Sequence, residues 1–476
     1  MPRAFIQTFG CQMNAYDTDR MRELLTDGGW ELIDDAEQAD FIILNSCAIR
    51  EKAEQKLTSA AGRFKAWKKA RPDALLAISG CVAQQEGANL LKRAPVVDFT
   101  FGPDQIPQLV SLVERARTSR QRFSVTDFAD VESYTFLDAR PRVGGTAVTA
   151  LVTIQKGCDH HCAYCVVPAT RGPEVSRPVD EVVREVERLV AAGAREVTLV
   201  GQNVNSYHGV PELGRTDDAF VELLRRVDAV QGLLRLRYTT SHPRDFTPAV
   251  ARAHAELTTL QPYVHLPVQS GSSRTLKRMV REYTREQYME QIGWLKAACP
   301  DVSLSTDIIV GYPGETTADF EETMSLLAAV EYDSIYSFEY SPRPDTPALK
   351  LRLRDDVPVE EKAGRLQRLQ AVQAEITRRR LDRWVGRTTR VLVEGEASRG
   401  DGRLCGRTPG NEMVNFEAPG LAGAVAGAVV DVEVTARRAH TLNGRAVAIA
   451  SPSTLPSPNP TTVPRASTAR RLTVLP

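Results

Sequence analysis

Residues 156–168, KGCDHHCAYCVVP, place three cysteines and two histidines within eight positions. Cys158, Cys162 and Cys165 are spaced C-x3-C-x2-C, one ligand short of a closed four-ligand metal site. Structural zinc takes four protein ligands, so His160 or His161 would have to complete a Cys3His set by folding the short loop back on itself. A four-iron cluster on three thiolates instead keeps one iron open for an exogenous small molecule. The spacing favours the cluster and leaves zinc as the alternative. Three further cysteines follow a different pattern. The runs AFIQTFGC, FIILNSC and LLAISGC each carry an apolar, β-like stretch straight into a cysteine: Cys11, Cys47 and Cys81. Singly, each reads as an ordinary buried strand-end thiol. Three at equivalent positions point to a shared site. Cys299 and Cys405 stand outside both groups and read as small, half-buried apolar residues.

The elements that must position these groups follow from periodicity. Residues 1–118 alternate short apolar runs with amphipathic helical segments, which predicts a parallel α/β sheet whose functional residues lie beyond the carboxyl ends of the strands. Cys11, Cys47 and Cys81 can then converge although more than thirty residues separate each from the next. Residues 119–148 are polar, acidic and Pro/Gly-bearing and read as a linker with some local structure. From 149 to 382 the strand–helix alternation resumes. Its candidate strands are TALVTIQK, EVTLVGQ, LLRLRYTT, YVHLPV, VSLSTDIIVG and DSIYSFEY, six units that predict a partial (β/α)6 barrel. The C-x3-C-x2-C loop follows the first of these strands, where an active-site loop belongs. A long helical pattern over 358–386 leads into short strands and Gly turns over 388–451, the texture of a small all-β barrel of a kind that often binds RNA, and the domain is set at 383–451. The tail, 452–476, is rich in Pro, Ser and Thr and reads as disordered. The fold class expected is therefore α/β multidomain, with an all-β module near the end.

Lys+Arg and Asp+Glu both number 60, so any affinity for nucleic acid must come from local basic patches. Arg378, Arg379, Arg380, Arg383, Arg387 and Arg390 form one such stretch, or else only a solvated helix face. The N-terminus lacks the basic-then-apolar layout of a signal peptide, and no apolar run approaches a membrane span. The expectation is a cytoplasmic protein with no membrane partner. In that reducing setting clustered thiols bind metal or do redox work more often than they form disulfides.

The motifs GCQMNAYDTDRM, LNSCAIREKAEQK, SGCVAQ, KGCDHHCAYCVVPATRG, GQNVNSY, HLPVQSGSSRTLKRMVREYT, TDIIVGYPGET and YSPRPDTPA follow in order over residues 3–450. In this they resemble the radical S-adenosylmethionine (SAM) methylthiotransferases. The resemblance implies an N-terminal cluster domain, a radical SAM core and a C-terminal RNA-binding TRAM domain. It implies that Cys158, Cys162 and Cys165 hold a [4Fe-4S] cluster whose open iron chelates SAM. It also implies that Cys11, Cys47 and Cys81 hold a second [4Fe-4S] cluster, whose open iron carries the sulfur to be transferred. Reductive cleavage of SAM then gives a 5′-deoxyadenosyl radical that can attack an unreactive C–H bond.

Gln12 after Cys11, together with CAIREKAEQK, resembles the branch that adds a methylthio group to C2 of an N6-isopentenyl (dimethylallyl) adenosine beside the anticodon. The implied partners are tRNA, through its anticodon stem-loop, an electron donor such as a flavodoxin or ferredoxin, and a sulfur source. For SAM contacts the resemblance points to Tyr164, Gly201 and Gln202. Tyr164 reads equally as a packing residue, and Gly201 and Gln202 as a strand-end turn. Gly314 and Glu315 in GYPGET either shape the cofactor floor or begin a helix. His160 and His161 read as loop or supporting groups rather than iron ligands. Ser46, Ala169 and Asp345 stand where the family usually has Thr, Tyr and Gly. A zinc-stabilised RNA-binding protein without catalysis is the reading from another class.

Overall fold

A computed structural model describes residues 1–48, 51–140, 148–216, 218–397 and 402–451. The tail expected to be disordered, 452–476, lies outside the described residues. Six parallel strands make the first sheet: β1 (Arg3–Phe9), β2 (Glu31–Leu32), β3 (Phe41–Ser46), β4 (Leu75–Gly80), β5 (Phe99–Phe101) and β6 (Phe123–Val125), in the order β2-β1-β3-β4-β5-β6. Every residue of β3 and β4 is buried. That is why FIILNS and LLAISG read as continuous apolar runs rather than alternating ones: helices cover both faces of a parallel sheet. Helix Gln12–Asp27 and helix Leu109–Ser119 supply part of that cover, Met21, Leu25, Leu112 and Val113 packing with Phe41 and Phe99. The stretch from 119, read as a linker with some local structure, does carry such structure. Its residues Phe123–Val125 pair with β5 in parallel and complete the sheet. A three-residue strand is too short to show as periodicity among polar neighbours.

The second unit carries the six parallel strands expected of a partial barrel. They are β7 (Thr149–Thr153), β10 (Glu196–Val200), β11 (Arg235–Tyr238), β12 (Tyr263–His265), β13 (Ser303–Val310) and β14 (Ser334–Glu339), and the pairs β7–β10–β11 and β12–β13–β14 form two arcs. A single parallel bridge, Leu236 to Leu260, joins the arcs into one open wall. Between β7 and β10 in sequence lies a two-residue ribbon of β8 (Gln155–Lys156) and β9 (Val175–Ser176), antiparallel, which clamps the base of the cysteine loop. Helices such as Val179–Ala191, Asp218–Asp228 and Arg285–Ala298 lie between the strands in sequence and pack Val182, Val186, Leu223, Leu224 and Ile292 into one core with Val197, Leu199 and Leu236.

Helix Val359–Asp382 buries Leu369 and Ile376 in that same core, then hands over to a closed five-stranded barrel: β15 (Thr388–Glu396), β16 (Leu404–Arg407), β17 (Met413–Glu417), β18 (Val429–Arg437) and β19 (Leu442–Ser451). In β18 the buried Val430, Val432 and Val434 alternate with Asp431, Glu433 and Thr435, the period of two that makes one face a core. The β16–β17 turn is held at the amino-terminal ends of the barrel strands. Arg235, which opens β11, donates to the carbonyls of Arg407 (2.7 Å) and Thr408 (3.3 Å), while Arg237 donates to Pro409 (2.9 Å) and Thr408 (3.0 Å). The opposite, carboxyl ends of the strands are thereby left to the cysteine loop.

Candidate metal centres

Register brings the first triad together. Phe9 pairs with Ser46 and Ser46 with Gly80, so β1, β3 and β4 stop in line, with Cys47 and Cys81 one residue beyond and Cys11 two beyond. Gly80 is obligatory for this arrangement. It sits at φ 91°, and a Cβ there would come within 2.4 Å of Asn45 Oδ1 and 2.5 Å of the Ser46 carbonyl. A buried amide pair fixes helix Gln12–Asp27, which Cys11 caps, against the end of β3: Asn45 Nδ2 donates to the Asn14 carbonyl at 2.9 Å and Asn14 Nδ2 to Asn45 Oδ1 at 3.3 Å. A hydrogen bond from Cys47 lowers the Cys11 thiol to about 6 against the burial that opposes it, with Asn14 and the Arg171 charge assisting. Burial pushes the Cys81 thiol up, and Arg171 partly counters it.

The second triad lies on the loop clamped by β8 and β9. Its entry needs Gly157, at φ 73°, because a Cβ there would lie 1.9 Å from the Pro173 carbonyl. Cys162 is the best supported of the three. Arg281 Nη1 donates to its sulfur at 3.3 Å, and His242 Nε2 lies 3.6 Å from it. His242 Nδ1 accepts the Arg244 N–H at 3.1 Å, so Nε2 carries the proton and donates to sulfur. Burial, with the neighbouring Arg281 charge, holds the His242 imidazole well below its ordinary pKa and hence neutral. Val280 and Glu282, at φ 56° and 59°, flank Arg281 in the left-handed region. A β-branched residue is an outlier there, and such strain persists only where the surroundings over-determine it. Here Arg281 is tied to the Pro267 carbonyl at 2.8 Å and the Tyr283 hydroxyl at 3.0 Å as well as to Cys162. Cys165 accepts the Val167 N–H at 3.4 Å, and burial followed by repulsion from Cys162 pushes its thiol up to about 12. Burial also raises Cys158.

Each triad is thus a set of thiols outside any disulfide, with buried N–H donors aimed at sulfur. Several thiolates crowded in a low-dielectric site repel one another and need a bound cation to compensate them. The donor set fits an iron–sulfur cluster at each position.

The two triads are adjacent. After Cys165, Val166 packs among the N-terminal helices and strands with Ile42, Leu44, Trp67 and Val82, and Ala169 packs against the same group. Helix Val167–Arg171 ends in Arg171, whose Nε donates to Cys81 Sγ at 3.4 Å. The loop of one triad therefore reaches into the other. The Ala169 that replaces the family's usual Tyr is part of this contact.

The remaining expected residues fall as follows. Gln202 Oε1 accepts the Gly157 N–H, so the end of β10 is tied to the start of the cysteine loop, and its Nε2 is buried without a hydrogen-bond partner. Gly201 has no room for a side chain, since a Cβ would lie 2.6 Å from Gln155 Oε1. Tyr164 is half-buried and packs with Met279, Tyr312, Tyr340 and Ala348. His161 is exposed, whereas His160 stacks on His242 with ring centroids 4.2 Å apart and bonds Asp245 at 2.6 Å. In GYPGET, Thr316 caps helix Thr317–Val330 and Glu315 pairs with Arg365 at 2.6 Å, the helix-start reading of that motif. Asp345 stands at φ 64°, a conformation Asp tolerates better than most and one natural to the Gly it replaces.

The basic stretch is largely neutralised: Arg378 pairs with Glu375 and Asp382, Arg379 with Glu331, and Arg380 and Arg383 with Asp333. Arg387 and Arg390 remain exposed, the latter 4.0 Å from Asp431. Sequence reasoning missed Arg171, Arg281 and His242. Arg171 and Arg281 lay in the quoted strings PATRG and MVREYT and His242 in none, and nothing in spacing says that these side chains point at sulfur.

Comparison with known proteins agrees with this architecture. The profile described as Uncharacterized protein family UPF0004 matches residues 3–102, the Radical SAM superfamily 152–327 and the TRAM domain 382–447. The second match brings with it SAM and a [4Fe-4S] cluster. Among solved structures, the radical SAM methyltransferase TsrM from Kitasatospora setae shares the fold, with TM-score 0.54 and 15% identity over 73% of this chain and 75% of that one. Among curated proteins, the tRNA-2-methylthio-N(6)-dimethylallyladenosine synthase of Anaeromyxobacter sp. (strain K) is 48% identical over 93% of this chain and 94% of its own length. The protein of that name from Burkholderia mallei (strain SAVP1) is 45% identical over 94% and 97%. The expected radical SAM methylthiotransferase architecture is present from end to end of these alignments, and the chain belongs to the tRNA-2-methylthio-N(6)-dimethylallyladenosine synthase family.

Proposed function

We infer that this chain is a radical SAM enzyme that adds a methylthio group to C2 of an N6-isopentenyl adenosine beside the anticodon of tRNA. The observation that carries this reading is the placement of two three-cysteine groups side by side, one on strand ends of the first sheet and one on the barrel loop, joined through Arg171. Cys158, Cys162 and Cys165 would hold one [4Fe-4S] cluster and Cys11, Cys47 and Cys81 a second. When bound, these clusters and SAM supply one-electron chemistry and a transferable sulfur, which an aromatic C2–H, neither acidic nor otherwise activated, requires.

The chain's own part is positioning. Gly157 and Gln202 set the path of the cysteine loop, and the unpartnered Gln202 Nε2 offers a donor to the methionine end of SAM. Tyr164 and Gly201 would add the other contacts to SAM. Arg281 and His242 hold Cys162 in place from the buried side. The anticodon loop is single-stranded, so its base can be splayed into a pocket at modest cost. The C-terminal barrel exposes Arg387, Arg390, Arg438 and Arg445 for phosphate contacts, whereas the paired arginines of the preceding helix would have to exchange their acidic partners. A flavodoxin or ferredoxin would supply electrons, and a separate donor would replace the sulfur. No helix among the described residues is long and apolar enough to cross a membrane.

Nucleoside mass spectrometry of tRNA from a strain lacking this protein tests the reading. The 2-methylthio form should vanish and its isopentenyl precursor accumulate. Undiminished 2-methylthio nucleoside, in a strain with no second such enzyme, would reject the assignment.

A further inference from the structure

Arg171 belongs to the radical SAM core by sequence but spends its hydrogen bonds on the N-terminal domain. The residue is only 6% exposed. Its Nη1 and Nη2 meet Asp17 Oδ1 at 3.3 Å and Oδ2 at 2.6 Å, and its Nε donates to Cys81 Sγ at 3.4 Å. Asp17, itself 5% exposed, lies on helix Gln12–Asp27, whose cap is Cys11. The carboxylate takes both ends of the planar guanidinium fork, which fixes its orientation and leaves the Nε–H directed at sulfur. The cation also acts on Cys11. Two members of the strand-end triad therefore feel a charge delivered by the loop of the other triad.

An ion pair between domains would account for the Arg171–Asp17 contact alone. It does not account for the third hydrogen bond, which ends on a cysteine sulfur. Buried pairs of this kind contribute little net stability, because desolvation offsets attraction, whereas a fixed charge beside a redox group acts on it directly at low dielectric. Hydrogen bonds to sulfur and nearby net charge are the protein's levers on the potential of an iron–sulfur cluster.

We propose that Arg171 is a positioning residue for the strand-end triad: it fixes Cys81 and, with Asp17 as its counter-charge, sets the reduction potential of the cluster held by Cys11, Cys47 and Cys81. The proposal rests on the reading of that triad as a cluster site. The sign of each effect follows from charge. Removing the cation makes addition of an electron harder and moves the midpoint potential in the negative direction. Removing the Asp17 charge leaves the cation less compensated and moves it in the positive direction.

The test uses the full-length chain with Cys158, Cys162 and Cys165 replaced by Ala, reconstituted anaerobically so that only the strand-end site can hold a cluster. Iron and sulfide per chain are counted, and the midpoint is read by dithionite titration followed by electron paramagnetic resonance. Adding Arg171→Met should shift the midpoint to a more negative value, Asp17→Asn to a more positive one, and Arg171→Lys should fall between Arg171→Met and the parent. Should Arg171→Met fail to fold, the opposed shifts of Asp17→Asn and Arg171→Lys decide the matter. A parent variant with no iron would overturn the cluster reading, and the proposal with it. A parent that carries its cluster while Arg171→Met and Asp17→Asn leave the midpoint unmoved, or move it the same way, would overturn the role of Arg171 alone.

Discussion

At the residue scale, the glycines that precede cysteines carry as much of the design as the cysteines. Gly80 and Gly157 hold left-handed backbone where a Cβ would strike a carbonyl oxygen. A Gly80→Ala substitution should cost roughly 1–3 kcal/mol from backbone strain alone, with the collision against Ser46 added. Its thermal unfolding midpoint should drop and its iron content after reconstitution should fall. Full stability with full iron content would mean that the strand end relaxes freely. The six clustered cysteines were legible in the sequence because thiols are rare and their spacing is regular. Arg171, Arg281 and His242 were not, because a hydrogen bond to sulfur depends on where loops 80 to 119 residues apart come to rest. Within the basic run, the pairing of Arg379, Arg380 and Arg383 was hidden for the related reason that their acidic partners, Glu331 and Asp333, lie far away in sequence.

At the element scale, alternation of strand and helix made the two parallel α/β units readable, and the cysteines that follow β1, β3 and β4 became neighbours through register. What periodicity could not show were the shortest pieces, β6 and the β8–β9 ribbon, whose two or three residues leave no pattern. One element pair gives a pH prediction. Helix Pro248–Glu256 is tied to β11 by His254 Nε2 and the Tyr238 hydroxyl, 2.8 Å apart. Burial lowers His254 from 6.5 to about 4. The unfolded chain therefore takes up a proton between pH 6.5 and 4 that the folded chain refuses, and stability falls as pH drops through that window, by up to about 3 kcal/mol. His254→Gln should flatten the profile between these limits in chemical denaturation, at a fixed cost above them. An unchanged slope would place the acid sensitivity elsewhere.

At the scale of the whole molecule, the radical SAM barrel is engaged at both ends by different neighbours. The strand-end triad docks at the carboxyl ends, through Val166, Ala169 and Arg171. The C-terminal barrel docks at the amino ends, through Arg235 and Arg237, with Glu196 lying 3.0 Å from Arg237. Arg237→Ala would leave that buried carboxylate with Arg235, 3.9 Å away, at a cost of about 1–3 kcal/mol. It should loosen the C-terminal barrel, with faster limited proteolysis near residues 383–388 and weaker tRNA binding, while SAM cleavage persists. Equal protease resistance and equal tRNA affinity would show that the long helix alone sets the domain's position.

The central claim is that two neighbouring cysteine triads divide one reaction between them. Purified full-length protein in which Cys11, Cys47 and Cys81 are all replaced by Ala, reduced in the presence of SAM and isopentenylated tRNA, tests it most directly. Formation of 5′-deoxyadenosine without any 2-methylthio nucleoside is the predicted result. Methylthio product from that variant would contradict the account.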